Sequence, residues 1–168
     1  MTQQSESGEG KKAADGRIFQ INLSENGVPK RAARSAELAS LGLVGDSQRH
    51  PGIHGGPLRA VCLYSLERIL DLQSEGHPIF PGSIGENLTL VGLDWRKISP
   101  GSRLRLGRTV QLEITSFTNP CKTIIDSFIE GDIERVSEKM NPGWSRVYAR
   151  VLQGGIIQCG NPVKIEYI

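Results

Sequence analysis

Aromatic residues make up only 5% of this 168-residue chain, and no stretch stays apolar long enough to cross a bilayer as a helix. The first scarcity removes the stacking platforms on which single-stranded nucleic acids are held. Net charge is +2 and the basic residues are scattered, so no electrostatic stripe for a phosphate backbone emerges either. Neither nucleic acid nor membrane is an expected partner. The three cysteines, Cys62, Cys121 and Cys159, are odd in number and far apart, with no CxxC pair, which argues against a disulfide framework, a zinc finger or a thioredoxin-type motif. HExxH and GxSxG are missing, and His50, His54 and His77 lack metal-ligand spacing, so zinc-dependent and serine hydrolysis have no support. The polar opening MTQQSESGEGKKAADG has no apolar core of a secretory signal. The chain is therefore expected in the cytoplasm, and the sequons at Asn22 and Asn87 are read as chance matches.

The length suits one domain that can bury a core without staples. Residues 1–15 have the composition of a disordered tail, and the folded domain is expected over 16–168. From Gly16 onward, short apolar stretches are punctuated by Gly, Pro and Asn: RIFQINL, AVCLYSL, NLTLVGL, SRLRLG, TVQLEITSF, RVYARVL and VKIEYI. In VQLEITSF, residues Val110, Leu112, Ile114 and Ser116 alternate onto one strand face. Helical spacing occurs in residues 65–77 and 120–140, the latter divided at Gly131 into two short helices. Many short strands, few helices and no βαβ rhythm predict a mainly β, α+β domain resembling a β-barrel with a few short helices.

Four places carry candidate chemistry. In SFTNPCKTIIDSF, Asn119 and Pro120 are helix-starting residues that put Cys121 in the first helical turn, where unpaired N–H groups, the helix dipole and Lys122 favour a thiolate. Most cysteines are inert, so placement alone leaves a packing role open. Cys62 reads as a small buried hydrophobe, and Cys159 has no cationic neighbour. The long loop GDSQRHPGIHGGPLRAV offers His54, Gly55, Gly56 and Arg59 to an anionic ligand, although a plain surface loop with turn glycines has the same composition. In FPGSIGENLTL, Asn87 has the donors and acceptor to read a heterocycle edge, but on the residues alone an Asx-type turn that starts the strand is the preferred account of both Glu86 and Asn87. Arg150 either faces inward to an anion or outward to solvent.

Four segments, GLVGDSQRHPGIHGGPLRAVCLYSLE, FPGSIGENLTLVGLDW, ITSFTNPCKTI and GWSRVYARVLQGGIIQCGNPV, together resemble the MOSC domain family, named after the C-terminal domain of molybdenum cofactor sulfurase, and its small stand-alone bacterial branch in particular. The resemblance implies a barrel-like domain that binds the molybdenum cofactor (molybdopterin), with Cys121 as metal ligand or persulfide carrier. It also implies contacts from His54, Gly55, Gly56 and Arg59 to pterin or phosphate, from Asn87 to the pterin edge and from Arg150 to the phosphate. The pyridoxal phosphate domain of the full sulfurase has no counterpart in the sequence, and Asn161 stands where many relatives carry aspartate. The function implied is a molybdenum-dependent oxidoreductase acting on small N-hydroxylated or N-oxide substrates, with electrons from a separate electron-transfer protein. The alternatives are a sulfur carrier loaded by a separate cysteine desulfurase, or a cofactor storage or delivery module.

Overall fold

The computed structural model describes residues 15–47 and 55–167; the tail expected over residues 1–15 lies almost wholly outside them, and so does His54. Seven strands form a closed barrel: β1 (Gly16–Leu23), β5 (Val61–Ser65), β6 (Leu88–Val91), β7 (Arg103–Leu106), β8 (Val110–Phe117), β9 (Val147–Gln153) and β11 (Pro162–Glu166). They follow one another in the order β11-β7-β8-β9-β5-β6-β1, and β1 returns to β11 through Gly16 opposite Val163 and Arg17 opposite Pro162. A short β2 (Arg31–Ala33) extends the sheet from β1, while β3 (Ser35–Ala39), β4 (Gly42–Leu43) and β10 (Gly155–Gln158) form a separate small sheet.

Period-two patterning explains the barrel. On β8 the buried residues are Val110, Leu112 and Ile114, and they join Ile18, Leu63, Leu88, Leu104, Val147 and Val163 in the core. All five residues of β5 are buried, because material packs on both of its faces. Tyr64 reaches out from it to donate its hydroxyl to the Trp144 carbonyl at 2.7 Å, with its ring edge-on to Trp95.

The helical stretch at 65–77 is α1 (Leu66–Ser74), capped by the Ser65 hydroxyl on the Arg68 N–H, with Ile69 and Leu72 buried and Leu70 turned outward. It connects β5 to a parallel β6, so one βαβ unit occurs where none was expected. The expectation for residues 120–140 also needs correction. The segment forms three short 3-10 helices, Lys122–Ser127, Ile129–Gly131 and Ile133–Val136. Extended backbone at Phe128 and left-handed backbone at Glu130 and Gly131 (φ 55° and 68°) interrupt it, so burial of Ile124, Phe128 and Val136 overrides helical propensity.

Side chains fasten this segment across one end of the barrel. Arg135 donates two hydrogen bonds to Glu75 at 2.8 and 2.6 Å, and the Ile129 N–H donates to His77 Nδ1 at 3.1 Å. The other ring nitrogen of His77, Nε2, lies 3.5 Å from Glu75. Beyond the segment, the Ser145 hydroxyl donates to the Thr118 carbonyl at 3.0 Å. Because Leu112 is fully buried at the centre of the longest strand pairing, Leu112→Ala is expected to cost about 2–5 kcal/mol, read as a lower urea midpoint with an unchanged slope.

Candidate functional site

A cleft of about 360 Å³ opens at this end of the barrel. The loop after β1 (Gly27, Val28, Lys30), residues 84, 85 and 87 ahead of β6, and the segment from Asn119 to Asp126 wall it, with Cys62, Arg146 and Tyr148 from the barrel strands.

Asn87 organises the floor. Its backbone N–H donates to the Cys62 carbonyl at 2.7 Å, its side-chain oxygen accepts from the Cys62 N–H at 2.9 Å, and its side-chain nitrogen donates to Asp46 at 2.9 Å. Asp46 in turn accepts from the Ser24 N–H at 2.8 Å and pairs with Lys30 at 3.1 Å, both charged side chains under 10% exposed. The Lys30 ammonium is thereby neutralised at the cleft wall. Next to Asn87, Glu86 is fully buried; one carboxylate oxygen accepts from the Gly82 N–H at 2.6 Å and the Thr89 hydroxyl at 3.1 Å, and the other has no hydrogen-bond partner. Burial pushes the Glu86 carboxyl above the ordinary range, against the opposing pull of its N–H donors and Arg146.

Arg146 is the cation that stands out. It is 6% exposed, donates through Nη1 to the Ile84 carbonyl, forms no ion pair among the described residues, and leaves its buried Nε without a partner. Arg59 lies over the Tyr148 ring, its guanidinium carbon 5.5 Å from the centroid, and burial raises the Tyr148 phenol to about 12. Cys121 stands at the mouth, half-buried, its sulfur 2.8 Å from the Thr123 hydroxyl. It does not sit in the first helical turn: Cys121 is the cap residue itself, with extended backbone (φ −135°, ψ 168°), ahead of a six-residue 3-10 helix.

Of the residues proposed from sequence, the structure brings Cys121, Arg59 and Asn87 to one cleft. Gly55 and Gly56 do not line it; Gly56 has φ 92° and starts the 3-10 turn Pro57–Arg59. His54 lies outside the described residues. Arg150 is separated from the group, because its register on β9 sets it opposite Glu113, with which it pairs at 2.8 Å. Four residues were missed: Lys30, Asp46, Arg146 and Tyr148. Three of them stand within the quoted motif segments, with Arg146 four positions before Arg150 and one residue ahead of β9, where strand alternation does not mark it.

A closed β-barrel with a cleft lined by Cys121 and by a buried arginine that has no ion pair among the described residues sets the class of fold. The MOSC domain model matches residues 50–164, and the chain belongs to the MOSC domain family. It is similar to the Bacillus subtilis protein YflK (33% identity over 138 residues, 81% of this chain and 61% of that protein) and to Escherichia coli YiiM (28% over 124 residues, 71% and 54%). The chain thus spans little more than half the length of these relatives. Among solved structures, YiiM from Geobacillus stearothermophilus superposes with a TM-score of 0.70 at 22% identity, covering 90% of this chain and 75% of that one. YuaD from Bacillus subtilis gives 0.69 at 16% identity, covering 92% and 97%. These two share the fold.

Removing one member of a buried ion pair strands the other, so Asp46→Ala is expected to destabilise by about 3–5 kcal/mol, and Lys30→Met added to it should recover much of that loss in chemical denaturation. A raised carboxyl favours the native state below the unfolded pKa and loses that contribution as pH rises through the folded value. Stability should accordingly fall as pH increases above about 4.5, and Glu86→Gln should flatten that slope in urea melts across the series.

Proposed function

We propose that the cleft binds the molybdenum cofactor, with its anionic end at Arg146 and its metal at Cys121, and that the protein reduces small N-hydroxylated or N-oxide compounds. The observation that carries this reading is Arg146. A buried guanidinium without a carboxylate is costly, and a bound anion would relieve the cost. The donor set also fits: Lys30 is already neutralised, Arg59 and Lys122 add positive charge around the same cleft, and the Cys121 sulfur suits a soft metal centre. When bound, the cofactor would supply a two-electron metal centre able to accept oxygen from nitrogen.

The residues of the chain have simpler tasks. Arg146 and Arg59 hold the anion, Asn87 and Asp46 keep Cys62 and Lys30 in place beneath it, and the segment 119–126 limits water at the mouth. The net conversion consumes two electrons and two protons for each water released, and a separate electron-transfer protein would deliver the electrons. The half-exposed Cys121 also favours a second reading, a sulfur carrier loaded by a cysteine desulfurase.

Purification from a host that makes the cofactor, with molybdenum measured by mass spectrometry and pterin by fluorescence after oxidation, tests the first reading. Wild type should carry both, Cys121→Ser should lose most of the metal, and Arg146→Gln should lose pterin at least tenfold while keeping its circular dichroism spectrum. Wild type free of both would overturn it; a persulfide on Cys121 after desulfurase treatment, absent in Cys121→Ser, would then support the carrier.

A further inference from the structure

Two of the three cysteines, far apart in sequence, line the same cleft, and nothing in the proposed cofactor site requires the second. Cys62 stands on β5 directly opposite Tyr148 of β9, so their side chains lie side by side on one face. Its backbone N–H and carbonyl are both tied to Asn87, which holds it on a rigid floor. Cys121 lines the cleft from extended backbone between β8 and a 3-10 turn, outside any strand ladder or α-helix. Tyr148 lines the same cleft as both cysteines. The cleft of about 360 Å³ is near the lower end of ligand-site sizes, and both cysteines line it. Cys159 lies apart, its sulfur 3.3 Å from the Ala33 carbonyl, outside the cleft lining.

We infer that Cys62 is a resolving thiol for Cys121, and that oxidation by a hydroperoxide closes the site through a Cys62–Cys121 disulfide. The half-exposed Cys121 thiol meets the oxidant first: its sulfur takes one peroxide oxygen to become a sulfenic acid, and the remaining oxygen leaves as alcohol or water. The Cys62 sulfur then attacks Cys121, forming the S–S bond and expelling the hydroxyl, which leaves as water with the Cys62 proton. Two thiols are oxidised and one peroxide is reduced. The bond holds the two Cα atoms within about 7 Å and so pins the Cys121 segment to the floor. The chemistry does not depend on the cofactor reading.

The test uses cofactor-free full-length protein with Cys159→Ser, treated with limiting hydrogen peroxide, alkylated and digested for mass spectrometry. The expected result is a reductant-sensitive Cys62–Cys121 cross-linked peptide, the loss of two thiols per chain and little dimedone adduct on Cys121. Adding Cys62→Ala should raise dimedone labelling of Cys121 at least fivefold. Because burial holds the Cys62 thiol up, the cross-link should form faster between pH 7 and 9. If Cys121 is labelled by dimedone as heavily with Cys62 present as without it, and Cys62 stays alkylatable, the inference is wrong; the cross-link is read in protein that retains native Cys62, so misfolding of the alanine variant cannot mask that result.

Discussion

The pairing of β1 with β11 turns a twisted sheet into a ring, and that closure governs where chemistry can reside. Within a closed barrel the strands satisfy one another, and the interior is filled by Ile18, Leu63, Leu112, Val147 and their neighbours. No ligand fits inside such a core, so a binding site must be built at an end from loops. Loops lack ladder hydrogen bonds, and this protein supplies them from side chains. Asn87 and Asp46 anchor one side of the cleft, and Glu75, His77 and Ser145 anchor the other.

The handling of positive charge distinguishes the site from the rest of the surface. Lys30, Arg103, Arg135 and Arg150 each have a carboxylate within hydrogen-bonding distance. Arg146 is more deeply buried than any of these arginines and is answered by the Ile84 carbonyl, not by an acid. Carboxylates compensate those four cations, whereas Arg146 lines the cleft with no carboxylate partner among the described residues. Burial raises the Glu86 carboxyl, which supports the same loop, while the Arg146 charge pulls the other way.

The strands with strong alternation were legible because barrel closure demands period-two burial: β1, β5, β6, β7, β8, β9 and β11 all fall on stretches picked out by pattern. The small sheet of β3, β4 and β10 was not, since SAELA, GL and GIIQ are too short or too mixed to carry a period. Three 3-10 helices stand where the pattern predicts two short helices, because 3-10 and α turns share similar apolar spacing over so few residues. At the site, residue type pointed to Cys121, Arg59 and Asn87. The partnership of Lys30 with Asp46, and the choice of Arg146 over Arg150, depend on register and burial that no local window contains.

Trp144 occupies an unusual position, with the guanidinium carbons of Arg68 and Arg135 at 4.3 and 3.7 Å from its ring and the Tyr64 hydroxyl on its carbonyl. It lies two residues from Arg146 and shares Arg135 with the clamp on the 3-10 segment. Indole emission responds to nearby charge, and the other tryptophan, Trp95, is packed edge-on against Tyr64. The protein therefore carries an optical reporter built into the joint between barrel and cleft, so that displacement of the clamp registers as a spectral change without any added label.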